Sequence, residues 1–360
     1  MNQLNQLDYD HLVFSKTKKG YHYNRSHSNE VDYLANLLKN RYNTNVQDNK
    51  VDSCFILPSG LCAISTILNC VVKKMNIQHI IYGSELYSDT PELIWLIAST
   101  YNVGHTTFDV TCTESLFDDK HNKYKDEPII LFFESCTNPN GFIFDFDVIP
   151  KLRQHFTKLI IIVDNTWLTS AILNPFFYDI DIVITSLTKY YSGGTALGGA
   201  LLVSSKLNII VDNIMTWISL NGLHTSPHNA EIITENLYSL DDRIKKSSDL
   251  TINVLDHLKS NNKIVNISHP YLSDVTIDNK YIKLWPSVFT FAIKASKNKV
   301  LKILQKSNII EHKTSFGSKH TRSDPWPYKQ GDLTIIRISI GYDDDYDKII
   351  KGLDQIIDNL

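Results

Sequence analysis

Short, continuously apolar segments alternate with helical patterns between residues 54 and 203, and this alternation constrains the fold more than any other feature. Strands that are apolar at every position are buried on both faces, which is typical of a mostly parallel sheet covered by helices on both sides. Ligands bind at the carboxyl ends of the strands in such sheets. We therefore predict an α/β fold with its site at that edge and with strands over residues 54–57, 79–82, 128–133, 159–163, 180–184 and 200–203.

The remainder of the chain has a different organisation. Residues 229–261 show a helical pattern long enough for one or two helices, and residues 288–340 mix strands with a helix. This pattern favours a smaller α/β domain with mostly antiparallel strands. The predicted parts of the chain are an N-terminal arm with a first helix (1–50), a large domain (51–234) and a small C-terminal domain (235–360).

The composition argues against several classes of protein. Lys and Arg number 36 and Asp and Glu 39, so the net charge of −3 gives no reason to expect nucleic-acid or membrane-surface binding. No apolar run reaches about 18 residues and no signal peptide is recognisable, so no membrane span is expected. The five cysteines form no CxxC pair, which favours reduced thiols and a cytoplasmic protein, and the 13 histidines form no metal-binding motif.

One stretch, residues 181–199, contains a candidate catalytic lysine. A β-branched apolar run ends there in Ser186, Thr188 and Lys189, and a glycine-rich segment follows. A lysine just past the end of a buried strand, between hydroxyls and glycines, is well placed to form a Schiff base with a carbonyl cofactor. A solvated loop lysine is the alternative, and only the rest of the chain decides between the two.

A carboxylate and a tyrosine fall at other strand ends. Asp164 comes directly after the strand at 159–163, where it could keep the ring nitrogen of a pyridine cofactor protonated. A helix cap or a turn is the alternative for this aspartate. Tyr87 follows the strand at 79–82 and could stack on a cofactor ring, unless it is an ordinary packed tyrosine.

Phosphate and carboxylate groups also have candidate partners. Residues 59–63 turn from a strand into a helix, where backbone N–H groups can hold a phosphate and Gly60 lets it approach closely. Ser186 and Thr188 could donate hydroxyls to the same phosphate, although an ordinary strand-to-helix turn would have the same sequence. Arg337 lies within an apolar strand and either binds a substrate carboxylate or forms an internal salt bridge.

Together these segments resemble the cystathionine γ-synthase/γ-lyase family, the pyridoxal 5′-phosphate (PLP)-dependent enzymes of cysteine and methionine metabolism with fold type I. The resemblance covers nearly the whole chain, and the motifs come in the order of the family. They are SGLCA at 59–63, LY at 86–87, ESCTNPNG at 134–141, VDNTW at 163–167, SLTKYYSGG at 186–194 and RISIG at 337–341.

The resemblance implies PLP as the cofactor and a role for each candidate residue. Lys189 would bind the cofactor and move protons between substrate carbons, and Asp164 would pair with the ring nitrogen. Tyr87 would stack on the ring and take part in catalysis. Asn138 would lie near the phenolic oxygen of the cofactor, and Arg337 would bind the substrate carboxylate. The implied phosphate contacts come from Gly60, Leu61, Ser186 and Thr188.

The resemblance also implies an oligomer. Tyr23 and Arg25 match the YxR of the family's N-terminal arm, which reaches the cofactor phosphate in the active site of a neighbouring subunit. We therefore expect a homodimer with shared active sites, with a homotetramer as the alternative. The expected substrate is a small-molecule amino acid.

Two segments depart from the family pattern. Residues 193–196 read GGTA, where the family usually has Gly-His-x-Asp. Residues 315–321 resemble the SLGGVES loop of the family, but His320 stands where an acidic residue is common and Thr321 replaces a serine. These positions border the substrate side chain, so Thr321 is a candidate substrate-binding residue and the identity of the substrate stays open.

The expected reaction is elimination or replacement at Cγ or Cβ of a sulfur amino acid, with a C–S bond cleaved or formed. Cystathionine γ-lyase or γ-synthase is the activity that the resemblance favours. The alternatives are another PLP enzyme of fold type I, namely a cystathionine β-lyase, a methionine γ-lyase or an aminotransferase, and a catalytically silent relative.

Overall fold

The computed structural model describes residues 14–17, 20–25, 28–273, 282, 284–327 and 333–360. Its strands are β1 (Phe14–Thr17), β2 (Gly20–Tyr23), β3 (Val51–Leu57), β4 (His79–Gly83), β5 (Gly104–Phe108), β6 (Pro128–Glu134), β7 (Lys158–Asp164), β8 (Ile182–Ser186), β9 (Gly199–Ser204), β10 (Ile264–Ser268), β11 (Val288–Lys294), β12 (Glu311–His312), β13 (Arg322–Pro327) and β14 (Leu333–Ser339).

Its α-helices are α1 (Asn29–Asn43), α2 (Gly60–Lys74), α3 (Asp89–Tyr101), α4 (Asp119–Asn122), α5 (Ile149–His155), α6 (Thr169–Ile172), α7 (Val211–Asn221), α8 (Pro227–Leu237), α9 (Leu240–Leu258), α10 (Lys297–Leu304) and α11 (Tyr346–Asp358). Short 3₁₀ helices cover Thr113–Phe117, Phe146–Val148, Pro175–Tyr178, Ser205–Ile210 and Pro270–Leu272.

The central sheet has seven strands in the order β3-β9-β8-β7-β6-β4-β5. Strands β4 to β8 run parallel, and β9 runs antiparallel to both of its neighbours. The mostly parallel sheet and each of its six predicted strands are confirmed. The sequence does not predict β5, because the segment GHTTF at 104–108 contains no apolar run.

Side chains of the central strands alternate between two apolar layers, as the two-residue period of a strand requires. In β6, Ile129, Leu131 and Phe133 pack into the layer that contains α1 residues, whereas Ile130 and Phe132 pack into the layer that contains residues of α2 and α3. The sheet is therefore covered on both faces, and its strand ends are where polar side chains can meet.

A smaller five-stranded sheet follows, in the order β10-β11-β14-β13-β12. Every pair in it is antiparallel except β12 with β13, which confirms the predicted smaller domain with mostly antiparallel strands. Apolar side chains of α9, α10 and α11 pack against this sheet. Its strand β14 contains Arg337, which therefore enters the site from the smaller sheet.

The connections between these parts differ in detail from the sequence pattern. The helical region at 229–261 consists of most of α8, all of α9 and the residues after it. The predicted boundary between residues 234 and 235 falls inside α8, which ends at Leu237. The division into 1–50, 51–234 and 235–360 stays a prediction. The described residues of the arm form an antiparallel hairpin of β1 and β2. Over the described part of the chain, every helix is too short or too polar to cross a membrane.

Candidate active site

Three neighbouring strands end in polar residues at one edge of the central sheet. β6, β7 and β8 end at Glu134, Asp164 and Ser186. The strands are parallel and in register, with Glu134 opposite Asp164 and Asp164 opposite Ile184. Lys189 follows β8 directly, in a turn closed by a hydrogen bond from its N–H to the carbonyl of Ser186.

The amine of Lys189 is held by the smaller domain. Its Nζ donates to Ser315 Oγ at 3.0 Å and lies 5.3 Å from the centroid of the Phe316 ring. Burial lowers the pKa of Lys189, and the positive charges of Arg337 and Arg322 lower it further, whereas the carboxyl of Asp164 opposes the shift. The amine is therefore moved toward its neutral form, which is the form that reacts with a carbonyl or accepts a proton.

Asp164 is a buried carboxyl with an internal partner. Its Oδ1 accepts the backbone N–H of Thr166 at 2.9 Å and the hydroxyl of Thr166 at 2.5 Å. Burial raises the pKa of Asp164 to about 6, although both contacts with Thr166 and the charge of Lys189 lower it. A cation placed beside this carboxyl would favour its ionised form.

Glu134 is a second buried carboxyl in the site, and the sequence analysis assigned it no role. Its Oε1 accepts the backbone N–H of Tyr87 at 2.6 Å, and the backbone N–H groups of Tyr87 and Asn138 both act to lower its pKa. Burial raises the pKa of Glu134 well above its ordinary value, and Asp164 adds to that shift. The signal in the sequence was a charged residue that ends an apolar strand next to the strand of Asp164.

The start of α2 forms a concave surface against β8. Ser59 caps the helix by accepting the N–H of Cys62 at 3.1 Å, which leaves the N–H groups of Gly60 and Leu61 in the first turn without a carbonyl partner inside the helix. A Cβ on Gly60 would lie 2.9 Å from the Cβ of Ser186. Only glycine therefore lets the helix start approach the end of β8.

The hydroxyl of Thr188 is used inside its own loop. It donates to the carbonyl of Gly198 at 3.2 Å and accepts the N–H of the same residue at 3.1 Å. The glycine-rich segment between them has positive φ at Gly193 (62°) and Gly194 (77°). The Thr188 hydroxyl thus closes the loop that follows Lys189, and its contact with a phosphate stays a prediction.

Arg337 is a buried guanidinium, 5% exposed, close to Lys189. Its Nη1 donates to Asn138 Oδ1 at 3.1 Å, so the structure brings together two residues that the sequence analysis proposed separately. Its Nη2 donates to Thr314 Oγ1 at 3.2 Å and lies 3.8 Å from Asp324. Burial lowers the pKa of Arg337 to about 10, and Asp324 opposes the shift. The guanidinium is therefore incompletely neutralised and suited to bind an anion.

Aromatic rings surround these two cations. Phe316 lies near Lys189 and also packs on Trp167 and Tyr190, with ring centroids 5.6 and 5.4 Å away. The ring of Trp326 lies 4.2 Å from the Arg337 guanidinium. The sequence gives Phe316 no role beyond its place in the segment 315–321, because aromatic residues in a loop have no pattern that marks a site.

Thr321 and His320 lie in a different environment. Thr321 is buried; its N–H donates to Asp344 at 2.6 Å and its hydroxyl accepts the N–H of Gly341 at 3.1 Å. His320 also lies against Asp344, 3.3 Å from it. Among the described residues, Thr321 has no hydrogen bond to Lys189 or Arg337, and its contact with substrate stays a prediction.

The remaining candidates lie at the surface. Tyr87 is 42% exposed, and its hydroxyl donates to Asp89 at 2.9 Å. Tyr23 is 47% exposed, and the guanidinium of Arg25 lies 5.4 Å above its ring. Tyr87 contacts the site through its backbone bond to Glu134, whereas the Tyr23–Arg25 pair lies in the N-terminal hairpin region.

Comparison with known proteins decides the family. The model of the Cys/Met metabolism PLP-dependent enzymes matches residues 3–357. The chain belongs to this family. It is a PLP-dependent enzyme of sulfur amino-acid metabolism, and PLP is its cofactor.

The relatives within the family carry several activities. The chain is 24% identical to an L-methionine gamma-lyase of Treponema denticola, over 92% of this chain and 86% of the relative. It is 25% identical to a cystathionine beta-lyase of Schizosaccharomyces pombe, over 86% of this chain and 78% of the relative.

Solved structures show the same fold. A cystathionine gamma synthase of Xanthomonas oryzae, solved with aminoacrylate and cysteine, superposes with a TM-score of 0.83 at 19% identity and covers 97% of this chain and 92% of its own. A putative O-acetylhomoserine (thiol)-lyase of Campylobacter jejuni carries a pyridoxyl-lysine phosphate. It superposes with a TM-score of 0.78 at 24% identity, and the match covers 94% of this chain and 88% of its own.

The residues present fit PLP. The cofactor needs an amine for its aldehyde, an anion for its ring nitrogen and donors for its phosphate. Lys189 supplies a buried amine of lowered pKa, and Asp164 supplies a buried carboxyl that lacks a full cationic partner. The N–H groups at the start of α2 beside Ser186 form a cradle that a side chain at Gly60 would fill.

Proposed function

We propose that this protein eliminates or replaces the γ-substituent of a sulfur amino acid, as cystathionine γ-lyases and γ-synthases do. The observation that carries the proposal is the convergence of Lys189, Asp164 and Arg337 on one strand-end site. When bound, PLP supplies an electron sink for the negative charge that develops on the substrate Cα. The site residues supply binding, orientation and proton transfer.

Each residue has a defined task in this proposal. Lys189 holds the cofactor and, as a neutral amine, accepts the α-proton and returns it at another carbon. Asp164 pairs with the ring nitrogen, and Arg337 binds the α-carboxylate through its two terminal nitrogens. Asn138, which lies beside Arg337, would hold the phenolic oxygen of the cofactor, and Tyr87 would stack on the ring.

The phosphate has its own set of proposed contacts. The N–H groups of Gly60 and Leu61 at the helix start and the hydroxyls of Ser186 and Thr188 bind it. Tyr23 and Arg25 complete this set from a second subunit. This contribution from a second chain makes a homodimer with shared active sites the proposed assembly.

A substrate panel tests the reaction. Cystathionine, homocysteine, methionine, cysteine and an O-acyl-homoserine are each incubated with the PLP-loaded protein, and 2-oxo acid and thiol products are measured. We expect the wild type to turn over cystathionine or the O-acyl-homoserine. Lys189→Ala should lose this turnover and the visible absorbance of lysine-bound cofactor, and Lys206→Ala should keep both. Lys206 is a suitable control because it pairs with Asp179 at the surface.

The panel also separates the alternatives. Preferential turnover of methionine would assign a methionine γ-lyase, which the names of the relatives favour. Pyruvate and homocysteine from cystathionine would assign a β-lyase, and amino transfer to a 2-oxo acid would assign an aminotransferase. If PLP is bound and no member of the panel reacts, the assignment to sulfur substrates is wrong.

A further inference from the structure

A second arginine, Arg243, binds the lysine turn from the start of α9. Arg243 lies in the first turn of α9 and is 9% exposed. Its Nη1 donates at 2.7 Å to the carbonyl of Tyr190, the residue that follows Lys189. Burying a guanidinium is costly unless its donors are used, so this bond to Tyr190 also helps to keep the arginine in its buried position.

All three donor groups of Arg243 are used, and none of them by a carboxylate. Nη2 donates to the carbonyl of Asn236 at 2.8 Å, and Nε donates to Ser239 Oγ at 3.0 Å. Its guanidinium carbon lies 5.0 Å from the centroid of the Tyr342 ring. Within the described residues no acidic side chain pairs with it. The fork therefore joins the end of α8 and the start of α9 to the backbone beside Lys189.

Other contacts hold the same residue in place. The Tyr190 hydroxyl lies 2.9 Å from Ser287 Oγ, just before β11. A Cβ on Gly317, whose φ is 79°, would lie 2.6 Å from the Tyr190 nitrogen, so residues 315–317 pass directly over this peptide. The same short segment contains Ser315, which binds the Lys189 amine. The position of Tyr190 relative to the smaller domain thus determines whether Lys189 meets Ser315.

We propose that Arg243 is a positioning residue that fixes the Tyr190 carbonyl and thereby places the Lys189 amine against Ser315 and Phe316. The inference rests on the proposed role of Lys189 as the cofactor lysine. Because the fork uses three donor groups at fixed angles, a lysine cannot replace it, although lysine keeps the charge. Misplacing a reacting group by about 1 Å costs about 10²-fold in rate.

The chain offers a matched control in Arg153. It also binds two backbone carbonyls, those of Leu159 and Asp179, each at 2.6 Å; its side chain is 22% exposed, and unlike Arg243 it pairs with a carboxylate, that of Asp181. These carbonyls lie at the opposite end of β7 and before β8, away from Lys189. Arg153→Lys therefore reports the general effect of losing a guanidinium that bridges two backbone carbonyls.

The test compares PLP-loaded wild type, Arg243→Lys, Ser239→Ala and Arg153→Lys. We expect Arg243→Lys to lose about 10²-fold in kcat and to show weaker visible circular dichroism per bound cofactor. In the plot of kcat against pH, the acidic limb of Arg243→Lys should move to higher pH. The reason is that a loosened turn admits water, which raises the pKa of Lys189 toward its ordinary value. Ser239→Ala removes a single acceptor and should change each quantity in the same direction, but less.

The outcomes are distinguishable. If Arg243→Lys and Arg153→Lys lose only thermal stability and keep the wild-type circular dichroism and pH profile, the positioning role is wrong. If Arg243→Lys does not fold, the same comparison is made on Ser239→Ala, and a wild-type spectrum and profile there overturn the proposal. If the wild type itself shows no lysine-bound cofactor, the role of Lys189 fails, and that failure is seen before any variant is made.

Discussion

Asp164 and Glu134 lie on adjacent strands as two buried carboxyl groups, and both have raised pKa values. Burial is the main cause in each case. A carboxyl whose pKa is higher in the folded chain binds more protons there than in the unfolded chain. In the cofactor-free protein these groups therefore oppose folding as the pH rises, and a cationic ring nitrogen would relieve that effect at Asp164.

We predict that the ionisation of Asp164 contributes a loss of stability to the cofactor-free protein as the pH rises from about 4 to about 6, whereas the buried histidines His79 and His269, with lowered pKa values, contribute in the opposite direction. The rise in the pKa of Asp164 from 3.8 to about 6 corresponds to about 3 kcal/mol across that window. Asp164→Asn should remove this contribution to the dependence of the unfolding free energy on pH. Asp52→Asn, at an exposed residue of β3, should not. Urea unfolding at a series of pH values measures the effect, and equal slopes for wild type and Asp164→Asn would refute it.

Arg337→Lys should impair substrate binding more than the chemical steps. A lysine keeps the charge but loses the two-pronged grip on a carboxylate, as well as the bonds to Asn138 and Thr314. We expect KM to rise about 10²-fold with kcat within a few-fold of wild type, the pattern for loss of binding that is equal in ground and transition states. Steady-state kinetics on the substrate identified by the panel measure both constants.

The control for this prediction is Arg322→Lys. Arg322 also bears a charge that affects Lys189, but its guanidinium contacts Glu311. The Arg322→Lys variant should leave KM nearly unchanged. A fall in kcat with unchanged KM in Arg337→Lys would show that Arg337 acts on the reacting groups and does not bind the carboxylate.

Residues at strand ends could be predicted, and residues placed by loops could not. Asp164 and Lys189 follow apolar runs that identify themselves as buried strands, and Arg337 is a charge inside such a run. Phe316 comes next to Lys189 only because residues 315–317 fold over Tyr190, a contact between distant parts of the chain. Glu134 was visible as a strand-end charge, but its meaning depends on the register with Asp164.

At the scale of elements, the same distinction separates the predicted strands from the others. β6, β7 and β8 are continuous apolar runs whose burial on two faces requires that composition. β13 has the sequence RSDPWP, with two prolines, and becomes a strand because β14 pairs with it. Local propensity argues against β13, and tertiary pairing overrides it.

The start of α2 provides a prediction at this scale. Gly60→Ala places a methyl group 2.9 Å from Ser186 Cβ, so the helix start and β8 must separate. Because both elements line the proposed phosphate cradle, we expect PLP affinity to fall about 10-fold or more, which corresponds to about 1.4 kcal/mol. Equilibrium binding of PLP, followed by the visible absorbance, measures the change.

Gly352→Ala is the matched control for the helix start. Gly352 is also a buried helical glycine, and it lies in α11, which packs against the smaller sheet and not at the start of α2. Its added Cβ would lie 2.7 Å from Ile309 and 2.9 Å from Ile310. Both variants should lose stability, and only Gly60→Ala should lose cofactor affinity. Equal affinity losses in the two variants would remove the cradle at α2 from the proposal.

At the scale of the whole molecule, the site is completed by contacts between the two sheets. Ser315 binds Lys189 and Arg337 binds Asn138, and both bonds join the part of the chain that forms the smaller sheet to the central sheet, whereas Arg243 binds Tyr190 from the start of α9. The Tyr23–Arg25 pair lies in the N-terminal arm, and the charge of Arg25 lowers the pKa of His224, just before α8. The proposed role of that pair is to reach the phosphate in the site of a second subunit.

Mixing two inactive variants tests this requirement. Lys189→Ala lacks the cofactor lysine but retains Arg25, and Arg25→Ala lacks the arm cation but retains Lys189. In a mixed dimer with shared sites, one site contains Lys189 of one chain and Arg25 of the other, and the second site contains neither. Random reassortment should restore about a quarter of the wild-type activity, since about half of the dimers are mixed and each has one complete site. Activity is measured after the two variants are unfolded, mixed and refolded together, with each variant refolded alone as the control. If the mixture is only as active as the sum of the two separate variants although it forms dimers, each subunit uses its own arm and the shared-site proposal is wrong.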